Sequence, residues 1–383
     1  MMRCFVLLVC AALSACAAQP VAPLHPESLF DDAAFEPRSA PANIDVFALS
    51  DEMRHFLDTE IRPQLRRMGR LEGFVEAIQN GGRLKLQYDS SSTRTAAEAF
   101  HARAGNCISM VLMTAALAKE LGLPVYYQQV FAEETWSRDS GILFRSGHIN
   151  LTLRRRLGEA DKWSDRSQQM TIDFLPQEDV NGYKTRSIEE HTVIAMFMNN
   201  RAAEALARGK LDDAYWWARA AIARDSGFVE AYNTLGVIYQ QHGNLGEAER
   251  VFRRLLAQQP ENPTYISNLA AALSAAGQEP AAQALLQQLQ RIEPYPPFYF
   301  MDLARSAMQR GDYAAAIGLF KRELARDPDY HAAHFGLAVA YFQLGDFASA
   351  KEHLTSAMQD STTTRDHELY AAKLAWLRAH RTN

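Results

Sequence analysis

Three residues far apart in the chain have the types that nucleophilic catalysis needs. They are Cys107 in Arg103-Ala-Gly-Asn-Cys-Ile-Ser-Met110, His148 in Gly147-His-Ile-Asn-Leu151, and Asp173 in Thr171-Ile-Asp-Phe174. A thiol becomes a nucleophile when it loses its proton, which takes a positive environment or a nearby base. The base needs a third group to fix its tautomer and hold its cation. Gly105-Asn106 breaks the chain just before Cys107, and an Ala- and Leu-rich run to Leu121 follows, stopped by Gly122 and Pro124. That pattern predicts a helix opened by Cys107, and a helix N-terminus carries partial positive charge that favours a thiolate. His148 and Asp173 lie in short alternating runs that predict strands. Adjacent antiparallel strands can bring two such side chains together on one face.

What Cys107 is free to do depends on the other three cysteines. Met-Met-Arg is followed by apolar Phe5 to Leu13, which is far shorter than the ~20 residues that span a bilayer. It is the pattern of a secretory signal. Leu13-Ser-Ala-Cys16 resembles the lipobox of bacterial lipoproteins. The resemblance implies a signal peptide over residues 1–15, a lipid on Cys16, and, from Ala17, an outer-membrane anchor facing the periplasm. Cys4 and Cys10 leave with the signal. Cys107 is then the one unmodified thiol, in an oxidising compartment where cysteines usually pair. Such a residue is either buried and inert or kept for chemistry.

These residues need a scaffold, and the chain divides into distinct regions. Residues 16–44 hold Pro20, Pro23, Pro26, Pro37 and Pro41 without periodicity and read as an extended tether. From Ser50, a plausible N-cap, apolar residues recur at helical spacing through Met53, Phe56, Leu57, Ile61, Leu65 and Met68, with Pro63 placed to divide the helix. Leu71 to Ile78 continue a second helix, ended by Gly81-Gly82, and Leu84 to Tyr88 alternate like a strand. A helix over 96–103 precedes the Cys107 helix. Strands are expected at Val125–Phe131, His148–Leu153 and Met170–Leu175. Residues 45–192 therefore read as an α+β domain with a small antiparallel sheet.

The order helix-Cys, strand-His, strand-Asp, with the motifs Arg-x-Gly-Asn-Cys, Leu-Gly-Leu-Pro, Gly-His-x-Asn and Ile-Asp, resembles the transglutaminase-like superfamily of cysteine enzymes over roughly residues 50–190. The resemblance implies a papain-like core and attack by Cys107 on an amide carbonyl. It implies a thioester intermediate that passes to water or to an amine, with no cofactor. Ile108 and Asn150 stand where many members carry aromatic residues. The Cys107 backbone N–H is one oxyanion donor, and Asn106 or Tyr88 is the candidate for the second.

The second half repeats. Gly209, Gly243, Gly277, Gly311 and Gly345 lie 34 residues apart, as do Ala214, Ala248, Ala282, Ala316 and Ala350. This period resembles the tetratricopeptide repeat (TPR), which implies an all-α solenoid of five repeats over 193–362 with a capping helix over 363–383. The cap is expected to pack through Leu369, Ala372, Trp376 and Leu377. By resemblance the first helix of each repeat lines a groove for a protein or peptide partner, with Asn233, Phe298, Met301, Arg305, Phe335 and Phe342 in the lining. A net charge of −5 gives no reason to expect nucleic acid. No Cys/His cluster has metal-ligand spacing. Two functions follow: a Cys-His-Asp enzyme acting on an amide bond of a protein or peptide recruited by the repeats, or a catalytically inactive scaffold for protein–protein interaction.

Overall fold

The computed structural model describes residues 25–37, 44–80, 84–139, 142–154, 169–174 and 184–379. The signal peptide, Cys16 and Gly81-Gly82 lie outside these residues. The first helix, α1 (Asp51–Phe56), starts where Ser50 Oγ accepts the Met53 N–H at 3.2 Å. It widens into a π-turn over Leu57–Ile61 before α2 (Arg62–Met68). Pro63 is the second residue of α2, and the π-turn just before it lies where the proline lacks the N–H that would bond the preceding turn. In α3 (Arg70–Val75), a Cβ on Gly73 would stand 2.5 Å from the backbone oxygen of Gln64, so only glycine lets α2 and α3 cross here. Strand β1 shrinks to Gln87–Tyr88 and pairs in parallel with β2 (Ala104–Gly105). Between them, α4 (Ala96–Ala102) opens with a capping box of Thr95 and Glu98.

Helix α5 (Cys107–Glu120) is the centre of this region: every residue from Cys107 to Ala118 is buried. That explains its apolar composition on all faces. A four-stranded antiparallel sheet packs against it. Its strands are β3 (Val125–Asp139), β4 (Ile142–Arg154), β5 (Gln169–Ile172) and β6 (Lys184–Ile188), in the order β5-β4-β3-β6. β3 and β4 contain the predicted strands and run on as a long hairpin through residues expected to be loop, whereas β5 stops at Ile172, before the expected end, and leaves Asp173 just beyond it. Strand β6 was not legible. Lys-Thr-Arg-Ser-Ile lies at an exposed edge and shows no apolar alternation.

Five antiparallel helix pairs follow: α6 (Glu190–Ala207) with α7 (Leu211–Arg224), α8 (Val229–His242) with α9 (Leu245–Gln258), α10 (Pro263–Ala275) with α11 (Glu279–Ile292), α12 (Tyr299–Gln309) with α13 (Tyr313–Leu324), and α14 (His331–Gln343) with α15 (Phe347–Gln359). Each of the five in-phase glycines has a positive φ, from 69° to 94°, in the turn between the helices of its pair. This left-handed turn strains any residue with a Cβ, which accounts for the period. The five in-phase alanines are buried. Gly236 meets the Phe252 ring so closely that a Cβ would stand 2.5 Å away, and Gly336 repeats the contact with Phe320.

The closing helix α16 (Thr364–Ala379) corrects the expected cap. It buries Tyr370, Leu374 and Leu377, whereas Leu369 and Trp376 are 44% and 50% exposed. The packed face is the i, i+4, i+7 stripe beginning at Tyr370. The stack is also less uniform than its period. One hydrophobic core runs from Leu29 through the α+β region to Ala282, and a second begins at Phe298. Between them lie Pro294, Pro296 and Pro297, and Leu286, Ile292, Tyr299 and Leu303 remain exposed. No helix among the described residues is long and apolar enough to cross a membrane.

Half of the expected tether is not a tether. Residues 25–37 form a strap across α7, α8 and α9. Leu29 and Phe35 are buried, and the Phe35 ring stacks on Tyr215 with centroids 4.0 Å apart and planes 6° apart. The Asp31 N–H is shared by the hydroxyls of Tyr215 and Tyr239 at 3.1 and 2.9 Å. Tyr239 Oη donates to Leu29 O at 2.8 Å, and Arg219 Nε donates to Asp32 Oδ1 at 2.8 Å. The Glu36 backbone closes the strap, its N–H on Asp212 and its carbonyl on Trp216 Nε1.

Candidate functional site

The site begins at the junction of β2 and α5. Asn106 is the N-cap of α5: its Oδ1 accepts from Ser109 N at 3.0 Å and from Ser109 Oγ at 2.8 Å. Its Nδ2 donates to Thr93 Oγ1 at 2.8 Å. Asn106 was a candidate oxyanion donor, and the structure places its side chain in the helix cap. Its oxygen holds the helix start and one of its two amide hydrogens holds the preceding loop. Gly105 is required by closeness, since a Cβ there would stand 2.7 Å from Ser109 Cβ.

Cys107, the first residue of α5, is buried and is the free cysteine among the described residues. Its Sγ lies 3.9 Å from Gly147 O, next to His148 in β4. His148 Nε2 is 2.7 Å from Asp173 Oδ1, just past the end of β5. Asn150 Nδ2 donates to the other carboxylate oxygen, Oδ2, at 2.8 Å. Leu151 pairs with Ile172, which sets Asp173 beside Asn150 and brings His148 within reach. Since Asp173 takes Nε2, the His148 Nδ1 is left for its contact with the Cys107 thiol. The structure thus brings all three sequence-derived residues together and adds Asn150. Alternation from His148 placed Asn150 on the same face, but its role depended on where Asp173 would fall.

Burial works against an imidazolium at His148, yet the bonds to Asp173 and to Cys107 outweigh it and raise the pKa from 6.5 to about 9. A raised histidine pKa stabilises the fold fully below pH 6.5, and that contribution is lost as pH rises through about 9. The urea midpoint of the wild type is therefore expected to fall across this window more steeply than that of His148→Gln. Parallel curves would contradict the assignment.

The loop before α4 ties the site to both ends of the helical stack. The Thr93 N–H donates to Glu204 Oε1 at 2.6 Å, and Arg201 Nη1 donates to Thr93 O at 3.1 Å, both from α6. Ser90 N and Oγ donate to Thr362 O at 2.9 and 3.0 Å, between α15 and α16. The first and last turns of the stack meet on one loop, and Thr93 connects it to the cap of the Cys107 helix.

The residues expected to line a groove divide. Phe298 and Met301 are each 4% exposed and belong to the interior of the fourth repeat, which corrects their assignment. They lie on the side of α12 that packs against α13 and α14. Arg305 is exposed beside Asp302, and Asn233 Oδ1 accepts from Asn268 Nδ2 at 2.9 Å. Phe335 and Phe342 are half-buried against the cap, Phe335 on Tyr370 and Phe342 on Trp376.

Models of the tetratricopeptide repeat match residues 205–267, 241–297 and 301–359. The C-terminal half is a tetratricopeptide-repeat solenoid. Among solved structures, the chain is similar to MamA at 18% identity over 45% of this chain and 93% of that one, with a TM-score of 0.26. It is similar to a thermophilic TPR protein of Thermus thermophilus at 18% identity, over 47% and 99% of the two chains, with a TM-score of 0.30. It is also similar to YrrB, a TPR protein with an unusual peptide-binding site, at 22% identity over 49% and 99%, with a TM-score of 0.25. Comparison with curated proteins found no match. Ahead of the TPR solenoid stands an α+β region with a four-stranded sheet.

Proposed function

We propose that the chain is a protein-interaction scaffold, anchored through lipid on Cys16 to the periplasmic face of the outer membrane. The TPR solenoid carries this reading. Repeats of this kind bury their small residues between helices and leave side chains on one surface free to hold an extended or helical peptide. Arg305, exposed on the first helix of the fourth repeat, reports on that surface, and Arg253, exposed on the second helix of the second repeat, reports on another. A photo-crosslinking residue placed at Arg305 in cells is expected to trap a discrete protein partner that the same residue at Arg253 does not. Equal or absent trapping at the two positions refutes a partner in the groove.

A second reading gives the scaffold an activity, and the linked Cys107, His148 and Asp173 favour it. In this reading Cys107 attacks an amide carbonyl of the bound partner. His148, which holds the proton at the start, gives it to the leaving amine, while Asp173 holds the ring and its charge. A transglutaminase-like domain would then pass the acyl group from sulfur to water or to a second amine. Acylation of Cys107 by p-nitrophenyl acetate, read by mass spectrometry, tests this activity. Adding a primary amine separates transfer from hydrolysis.

A further inference from the structure

A thiol centre of this kind needs two donors at the oxygen that becomes charged when sulfur adds to a carbonyl. The backbone N–H of Cys107 supplies one. Asn106, the obvious polar neighbour, is turned to the helix cap, its oxygen held on Ser109 and its amide nitrogen on Thr93. Tyr88 remains. It is the last residue of β1, paired with Gly105, and the next N–H, that of Asp89, donates to Gly105 O at 3.0 Å. The strand therefore ends beside the start of α5. Asp89 is fixed in turn by Arg94 at 3.0 Å and by the Ser91 N–H at 3.0 Å, so the backbone that carries Tyr88 is held on its far side as well. The Tyr88 ring packs against the main core, and its hydroxyl lies against Cys107, within reach of that residue's backbone N–H. Burial, with Cys107 and Asp89 adding to it, pushes the phenol pKa well up, so the group keeps its proton and can donate.

We propose that the Tyr88 hydroxyl is the second oxyanion donor of the Cys107 centre. The proposal rests on the second reading above. As the bond from Cys107 Sγ to the carbonyl carbon forms, the carbonyl electron pair moves onto oxygen. That oxygen enters between the Cys107 N–H and the Tyr88 O–H and accepts from both. The pair then returns, the bond to the leaving group breaks, and the leaving group takes from His148 the proton that came from the thiol. The product is an S-acyl cysteine.

Two probes of the same sulfur test this in the full chain. Acylation by p-nitrophenyl acetate passes through an oxyanion, whereas alkylation by iodoacetamide displaces iodide directly and forms none. Tyr88→Phe keeps the ring and removes the donor. Its acylation rate is expected to fall by about 10²-fold, the usual cost of losing one oxyanion donor, with alkylation unchanged. The unchanged alkylation also shows that the variant is folded around its thiol. Equal rates of acylation in variant and wild type overturn the assignment, as does an equal slowing of both reactions, which would mean that Tyr88 acts on the thiol itself. A wild type that the ester leaves unmodified overturns the thiol reading as a whole, an outcome distinct from the other two.

Discussion

Replacing Asp173 by Ala is expected to slow acylation of Cys107 by p-nitrophenyl acetate by about 10⁴-fold, the loss found when an orienting carboxylate is removed from a comparable triad. Two effects combine. The carboxylate 2.7 Å from His148 Nε2 fixes which ring nitrogen carries the proton and faces the ring toward sulfur. It also contributes most among the groups that raise the His148 pKa to about 9. The variant additionally leaves the Asn150 amide without its acceptor in a buried position, where a lost partner costs ~1–3 kcal/mol. Asp173→Asn is expected to be about as slow, because its single amide oxygen cannot accept from both the His148 ring and the Asn150 amide, and an N–H turned to Nε2 selects the wrong tautomer. It should still move the pH profile toward the ordinary histidine range, since the countercharge is gone. An Asp173→Ala protein acylated at the wild-type rate would sink the triad, and Cys107→Ala sets the background.

The second large effect concerns the strap. Phe35→Ala is expected to cost about 3–5 kcal/mol of local stability, the usual range for emptying a buried Phe site. The ring is 3% exposed and lies against Tyr215, Tyr239 and His242. The strap precedes the domain core in the chain and can lift without unfolding it, so the loss is read locally rather than as a melting shift. Three kcal/mol is on the order of a 10²-fold rise in the undocked population. Amide exchange at Asp31 and Glu36, whose N–H groups donate to Tyr215, Tyr239 and Asp212, should quicken by that factor. Exchange unchanged from the wild type would show that the strap is held by something other than this ring.

Much of this was legible because it repeats or alternates. The 34-residue glycine phase marked the turns of the solenoid before any helix was placed, since a positive φ leaves few alternatives to glycine. The Cys107 helix was marked by Gly105-Asn106 in front and by its apolar run. His148 could be assigned to a strand, and Asp173, expected in another, follows directly on β5, so the register made them neighbours. What stayed hidden depended on contacts between distant segments. Pro23, Pro26 and Pro37 suggested an extended tether, and composition gives no sign that Leu29 and Phe35 have a receiving surface some 180 residues away. Phe298 and Met301 looked like groove residues because the repeat phase fixes the helix but not which of its faces its neighbours cover. Asn106 was polar and adjacent to the thiol, and only the geometry shows that Ser109 and Thr93 already occupy it.

The docked strap has a consequence for reach. Only nine residue steps separate Cys16 from His25, where the strap begins. Fully extended, they span at most about 30 Å. On the reading that Cys16 carries lipid, the start of the strap, docked on the first two repeats, is therefore tethered within that distance of the bilayer surface. On that reading a short leash, rather than a long tether, would set how far the first repeats can stand from the lipid headgroups.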